Sequence, residues 1–290
     1  MTSKEKTAYE FDGGGLNTWS DPEAFDVTRE RLGEYAAATN DPIEAHRDGD
    51  IGSPVFAIVP AFDAMLSPVV DVAPIEIFGK VVHGEQDFWF HRPIKPGDVI
   101  TTRARAIGYD TVESGARLSI HVECRDANEE LVNEQYLLAF FRGVDAGAAV
   151  GESVPAHKLA EAVRSGEPLA TVTAHVDDDQ TFRYAPASGD PMPIHLDEEV
   201  AKDSGLPGII AHGLCTMAMA SWGVLSQVAD GDVNRLKRFA VRFSKMVFPG
   251  DDLETRIWRT GSADGRTTYA FETVRGEDVV LTDGLAVVAD

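Results

Sequence analysis

Residues 94–108 read IKPGDVITTRARAIG, and residues 247–261 read VFPGDDLETRIWRTG. Pro96, Gly97 and Asp98 map onto Pro249, Gly250 and Asp251 at a shift of 153, and the same shift carries Thr102, Arg103 and Gly108 onto Thr255, Arg256 and Gly261, and Phe90 onto Phe243. One shift fits every pair. The chain therefore reads as two similar halves, and the architecture of either half decides that of the other.

After each Pro-Gly-Asp the apolar and polar residues alternate, as in Ile100, Thr102, Ala104 and Ala106, which is the pattern of a strand with one buried face. Further alternating runs follow, with Leu118, Ile120, Val122 and Cys124 and then LVNEQYLLAFF in the first half, and TTYAFETV and VVLTDGLAVVA in the second. Polar turns separate them, so each half is expected to hold an antiparallel meander. Ahead of each meander lies a run with helical character. It is clearest at HGLCTMAMASWGVLSQVA, where Leu214, Met217, Ser221, Leu225 and Val228 keep helical spacing, and Ala218, Ala220 and Gly223 allow close approach to a sheet. The expected fold class is α+β, a helix packed on an antiparallel sheet, twice. Residues 1–24 are polar and glycine-containing and are expected to be a flexible segment. Residues 25–145 form the first unit, the Ala-, Gly-, Ser- and Glu-rich residues 146–170 a linker, and residues 171–290 the second unit.

Composition narrows the function. The chain has 290 residues, 43% of them hydrophobic, which is ordinary for a globular core. Forty-eight acidic residues against 26 basic ones leave a net charge of −22, which argues against nucleic acid while permitting an anionic ligand at a local basic patch. No stretch reaches the roughly 18 uncharged apolar residues of a membrane span, and the first residues carry no apolar signal region, so a cytoplasmic protein is expected. Cys124 and Cys215 are too few for a disulfide framework or a zinc site and read as small buried residues. Serine-hydrolase, P-loop, Cys-x-x-Cys and dinucleotide-binding signatures are absent.

The chemistry concentrates at residues 188–195, SGDPMPIH. Pro191 and Pro193 deny this stretch a continuous helix, so a turn must set the spacing of Asp190 and His195. The bare pair also reads as a turn in which Asp190 caps an amide and His195 is a satisfied, half-buried residue. Its surroundings carry the functional reading. Gly213 falls at the first turn of the long helix, where free N–H groups and the helix dipole favour a developing negative oxygen. An acid, a base and an oxyanion donor in one segment suit proton chemistry beside a carbonyl. Tyr184 reads either as a border of the site or as a core tyrosine, and Arg238, Arg242 and Lys245 either as contacts for phosphates or as a solvated strand face. His212 stands close enough to join a metal set, but no further carboxylate or histidine keeps catalytic-zinc spacing, and no metal is expected.

Residues 184–201, YAPASGDPMPIHLDEEVA, followed by GIIAHGLCTMAMAS, resemble the hydratase 2 motif of the MaoC-like hydratases. The likeness extends through DVNRLKRFAVRFSKMVFPGDDLETRIWRTG and, in the first half, through VFAIVPAF and VVHGEQDFWFHRPIKPGD. It covers most of residues 30–288 and is to the two-repeat (R)-specific 2-enoyl-CoA hydratases. The resemblance implies a double hotdog fold and reversible addition of water to a trans-2-enoyl-CoA, giving a (3R)-3-hydroxyacyl-CoA. It assigns Asp190 and His195 to the water and the Gly213 amide to the thioester oxygen. It implies no cofactor beyond the coenzyme A of the substrate, and a homodimer. One departure stands out: the family places Asn where this chain has Met192, so a side chain able to orient water or its neighbours is replaced by an apolar thioether, which leaves open lower activity, an unusual substrate or a reshaped acyl pocket. A hotdog thioesterase and a non-catalytic acyl-CoA-binding protein are the alternative expectations.

The first half holds an echo of the motif, NDPIEAH, in which Asp41 and His46 keep the spacing of Asp190 and His195. At the shift of 153, however, Gly213 corresponds to Pro60, which has no N–H to offer. The first half is expected to shape the acyl site without catalysing.

Overall fold

A computed structural model describes residues 6–290. One antiparallel sheet runs through both halves. The first half contributes the strands Glu23–Asp26, Val99–Val112, Gly115–Arg125, Leu131–Arg142 and Val81–Phe90, in that spatial order. The second continues with Leu236–Phe243, Asp278–Ala289, Arg266–Arg275, Asp252–Ala263 and Ala170–His175. The two orders are mirror images, as a repeat joined at corresponding strands requires. At the seam Arg238 faces Trp89, Ala240 faces Asp87 and Arg242 faces Glu85. Because Ala240 is also the residue that the repeat matches to Asp87, a pseudo-twofold axis passes through this pair. The double hotdog expected from the sequence is thus present as one sheet with a pseudo-dyad at its centre.

The halves differ in what the sheet wraps. In the second, the helix Gly213–Val228 is buried over Leu214–Leu225, so an almost wholly apolar helix fills the concave side. In the first, the corresponding stretch is not one helix but a 3-10 turn at Pro54–Ala61, another at Asp63–Met65 and a short helix at Leu66–Val72. This corrects the expectation of a central helix in each half. Pro60 removes one helical donor and clashes with a regular turn, and the freed Ala57 carbonyl accepts a hydrogen bond of 2.7 Å from Gln135 Nε2. Gln135 in turn bonds Gln86 and Asn133, all three buried. Gln86 occupies the place that the repeat gives to Phe239 in the other half. The sheet under the broken helix is polar where the sheet under the intact helix is apolar, because it must pair backbone groups that a continuous helix would pair internally.

The expected flexible segment is also corrected over residues 6–24; residues 1–5 lie outside the described ones. Thr7–Ala8 pairs in parallel with Val144–Asp145. Phe11 is buried with its ring edge-on to Phe141 and tilted on Tyr109. The amides of Asn17 and Ser20 donate to Ala106 and Ala104, and Trp19 lies under the guanidinium groups of Arg103 and Arg105. Polar composition concealed these few aromatic anchors. The connector is held too: Leu159 packs with Trp258 and Ala270, and the Trp258 indole donates to the Gly166 carbonyl. No single helix among the described residues is long and apolar enough to cross a membrane. Both cysteines are buried, and burial pushes the Cys124 thiol up to about 11 and the Cys215 thiol up to about 12.

Across the concave side the halves share a polar joint. The helix Arg29–Ala38 leaves its last carbonyls without intrahelical partners, as every helix does. Side chains of the second half supply them: Arg183 donates to Ala37, Gln180 to Ala38, and the Trp222 indole to Thr39 at 3.1 Å. In return Arg31 donates to Pro186 and Ala187, and the hydroxyls of Tyr35 and Tyr184 meet at 3.1 Å. Trp222→Phe, which leaves the Thr39 carbonyl without this donor, is expected to lower stability by about 1–3 kcal/mol. Urea unfolding should show this as a lower midpoint at an unchanged slope; an unmoved midpoint would show that the joint contributes nothing.

Candidate active site

The helix Gln180–Ser188 ends at Gly189, whose φ of +80° reverses the chain, a conformation that glycine adopts without strain. Asp190 follows at once. Its Oδ1 accepts the Met192 amide at 3.1 Å, and the His195 amide donates to the Met192 carbonyl at 3.0 Å, closing the 3-10 turn Pro193–His195. The two prolines thus define a turn that carries Asp190 and His195 to one side. Asp197 then caps the short helix Glu198–Asp203, and the chain returns through residues 206–212 to start the long helix.

That return places His195 and His212. His195 Nδ1 lies 2.8 Å from the Ile210 carbonyl. A carbonyl only accepts, so Nδ1 carries the proton and the neutral ring keeps its lone pair on Nε2. His212 Nε2 lies 3.2 Å from the Asp190 carbonyl and donates by the same reasoning. The two imidazoles stack at 3.8 Å between centroids, 27° from parallel, and Tyr184 packs against the far ring at 4.9 Å. The Asp190, His195 and His212 ligand atoms all lie within 4.8 Å of one another, the one such group of histidine, cysteine and carboxylate side chains among the described residues. In-plane lone pairs of two closely stacked rings do not converge on a single point at bonding distance, so this trio is better arranged for a hydrogen-bonded water than for a chelated ion.

Burial governs the electrostatics. It raises the Asp190 pKa, against the Met192 amide and His195, and it lowers that of His195, against the Ile210 hydrogen bond and Asp190. Burial, with His195 alongside, pushes His212 down to about 3. Both rings are therefore held toward the neutral form while Asp190 is a stronger base than an exposed carboxylate.

Gly213 is the first residue of the helix Gly213–Val228 and is exposed. A Cβ there would stand 3.1 Å from the Phe243 ring, so any side chain would press on Phe243. With no side chain there, the Gly213 amide, which has no intrahelical partner, lies next to His212 at the helix start.

The other expected site residues are placed as follows. Met192 is half exposed and is held through its amide. Tyr184 is buried behind His212 with its hydroxyl on Tyr35, and so is a core tyrosine that also backs the site. Arg238 is bound by both oxygens of Asp87 and lies over Trp89, and Lys245 pairs with Asp278. Two of the three charges expected to form a free basic cluster are thus already matched by carboxylates; Arg242, 59% exposed and 3.9 Å from Glu85, is not so engaged. The first-half pair is sealed: Asp41 Oδ2 and His46 Nδ1 are 2.7 Å apart, both side chains are buried, and Pro60 is buried within its 3-10 turn. Sequence reasoning missed the stacking of His212 and the Ile210 carbonyl, neither of which leaves a local pattern; Phe243 had a signal in its repeat partner Phe90.

Residues 160–280 match the family described as MaoC like domain, and residues 15–135 match the FAS1-like dehydratase domain region. The chain is 28% identical over 278 residues to a probable enoyl-CoA hydratase 2 of Dictyostelium discoideum, covering 92% of each chain. It is 30% identical to 3-hydroxyacyl-thioester dehydratase Y of Mycobacterium tuberculosis, covering 80% of this chain and 79% of that one. A solved MaoC-like dehydratase from Phytophthora capsici shares the fold with a TM-score of 0.82 at 24% identity, over 96% of this chain and 97% of that one.

The raised Asp190 pKa has a consequence for stability. A carboxyl whose folded pKa exceeds its unfolded value near 3.9 binds more protons when folded, so stability falls as pH rises through that window. Asp190→Asn keeps the acceptor for the Met192 amide and removes the buried charge. It is expected to raise the melting temperature at pH 8 and to gain little near pH 4; thermal unfolding at the two pH values checks this, and a loss at pH 8 would contradict it.

Proposed function

The chain belongs to the MaoC-like dehydratase family, and from that membership we propose that it adds water reversibly to a trans-2-enoyl-CoA to give a (3R)-3-hydroxyacyl-CoA. The observation that carries this reading is the convergence, in one segment of the second half, of the Asp190 carboxylate, the stacked His195 and the open helix start at Gly213. The relatives named as an enoyl-CoA hydratase 2 and a 3-hydroxyacyl-thioester dehydratase support the reaction class.

In the proposed mechanism one water sits between Asp190 and His195. The 4.8 Å limit on their ligand atoms matches the span of two hydrogen bonds of about 2.8 Å meeting at one oxygen. The carboxylate accepts one water proton and His195 Nε2 the other, which turns the oxygen lone pair toward C3 of the enoyl group. As the C3–O bond forms, the Asp190–His195 pair takes up the proton released by water and gives one proton to C2, so the pair ends in its starting state and one water has been added. Negative charge gathers meanwhile on the thioester oxygen, where the Gly213 amide and the helix N-terminus stabilise it. Addition of water is no net oxidation, so the step calls for no redox cofactor. Of the three basic residues considered for the coenzyme A phosphates, Arg242 is proposed as the available contact.

Crotonyl-CoA separates this reading from its alternatives. Loss of the enoyl absorbance is the expected result; release of free thiol would mean a thioesterase, and binding without change a non-catalytic protein. An (S)-specific 3-hydroxyacyl-CoA dehydrogenase coupled to the reaction should give little NADH, and robust NADH formation would overturn the (3R) assignment.

Two mutant pairs test where the chemistry resides. Asp190→Asn and His195→Ala are each expected to abolish measurable hydration. Asp41→Asn and His46→Ala, assayed per folded molecule, should retain most of it, because the first half has Pro60 where an oxyanion donor is needed and one such donor is worth about 3–4 kcal/mol. Equal losses from the two pairs would require catalysis by Asp41 and His46.

A further inference from the structure

His212 is 2% exposed, and its position is hard to explain by stability alone. Its Nδ1 is buried with no hydrogen-bond partner among the described residues, an arrangement that costs free energy. Phenylalanine would fill the same space between Tyr184 and His195 without that cost. What phenylalanine lacks is the Nε2–H that reaches the Asp190 carbonyl at 3.2 Å across 22 residues of chain. His212 also occupies the N-cap position of the helix that begins at Gly213, without a side-chain capping bond, so its side chain touches the backbone of the acid and the ring of the base while its backbone adjoins the Gly213 amide.

We propose that His212 is a positioning residue for hydration: its Nε2–H anchors the Asp190 peptide while its ring face backs His195, fixing acid and base at the separation one water spans. The inference rests on the hydratase reading above and names a residue that acts through Asp190 and His195, not on substrate. The low pKa of about 3 fits the role, because a neutral His212 keeps one defined donor and adds no charge beside His195. The partners that face it are His195, Tyr184 and the Asp190 carbonyl. None requires a proton on Nδ1.

The test uses His212→Phe, which keeps the stacked ring and loses the donor, and His212→Gln, whose amide restores a donor near the position of Nε2. With crotonyl-CoA, the Phe variant is expected to lose about thirtyfold in kcat with KM within about threefold, in line with the cost of displacing catalytic groups by about 1 Å. The Gln variant should recover to within about threefold of wild type by the same measure. A Phe variant as fast as wild type, or a Gln variant as slow as Phe, overturns the proposal. Histidine NMR titration gives a readout independent of turnover. The His195 titration should move in the Phe variant and return in the Gln variant, and an unmoved titration in both would overturn the anchoring role. A wild type that leaves crotonyl-CoA unchanged would instead refute the hydratase reading, with the NMR comparison still deciding the anchor.

Discussion

The carbonyl end of the helix Arg29–Ala38 is the constraint on which the site depends. The Ala38 and Thr39 acceptors are buried between the halves, where the second half meets them with Gln180 and Trp222, and Arg183 reaches the more exposed Ala37 carbonyl beside them. Two of those donors sit on the helix Gln180–Ser188, whose end at Gly189 launches Asp190. Tyr184, on the same helix, joins Tyr35 on one side and His212 on the other. The turn that carries Asp190 and His195 is therefore fixed to the first half through a chain of polar contacts, although every residue proposed to react belongs to the second.

The pseudo-dyad at Asp87 and Ala240 gives both halves the same frame, and the frame alone does not make two sites. A continuous helix in the second half buries a nearly uniform apolar surface and presents free amides at its start. Prolines at 60 and 68 interrupt the corresponding stretch of the first half, and a buried glutamine and asparagine network absorbs the exposed backbone. A polar sheet face and a broken helix are linked choices: each would be unstable with the partner of the other half. The sealed Asp41–His46 pair fits this division, since a hydrogen-bonded pair with no access to solvent serves packing.

Electrostatics divide the surface from the site. A net charge of −22 is carried by a chain whose arginines are largely spent on local carboxylates, as Arg238 is on Asp87 and Arg92 on Asp98 and Asp126. At the site the opposite holds. Among the described residues Asp190 has no arginine or lysine partner, only an amide and a histidine, so burial raises its basicity instead of an ion pair lowering it. That is a stability cost retained where the proposed hydration needs a base.

How much of this was legible follows from the range of each interaction. The repeat, the antiparallel meanders, the turn that presents Asp190 and His195, and the glycine at a helix start are written in spacings of a few residues, because alternation, proline and capping act locally. They sufficed for a helix on an antiparallel sheet, twice over, and for the candidate acid, base and oxyanion donor, while the double hotdog itself was what the family resemblance implied. What the sequence left open was decided across distances with no periodic signature. The Ile210 carbonyl sets the tautomer of His195 from 15 residues away, Tyr35 meets Tyr184 across 149, and Asp87 claims Arg238 across 151. Phe11 and Trp19 tie down a segment whose composition reads as loose, and Gln135 rescues a carbonyl 78 positions earlier. A hydrogen bond between distant residues constrains only two positions and leaves the pattern between them free, so the sequence specified which groups were available, and only the closed tertiary structure determined which of them meet.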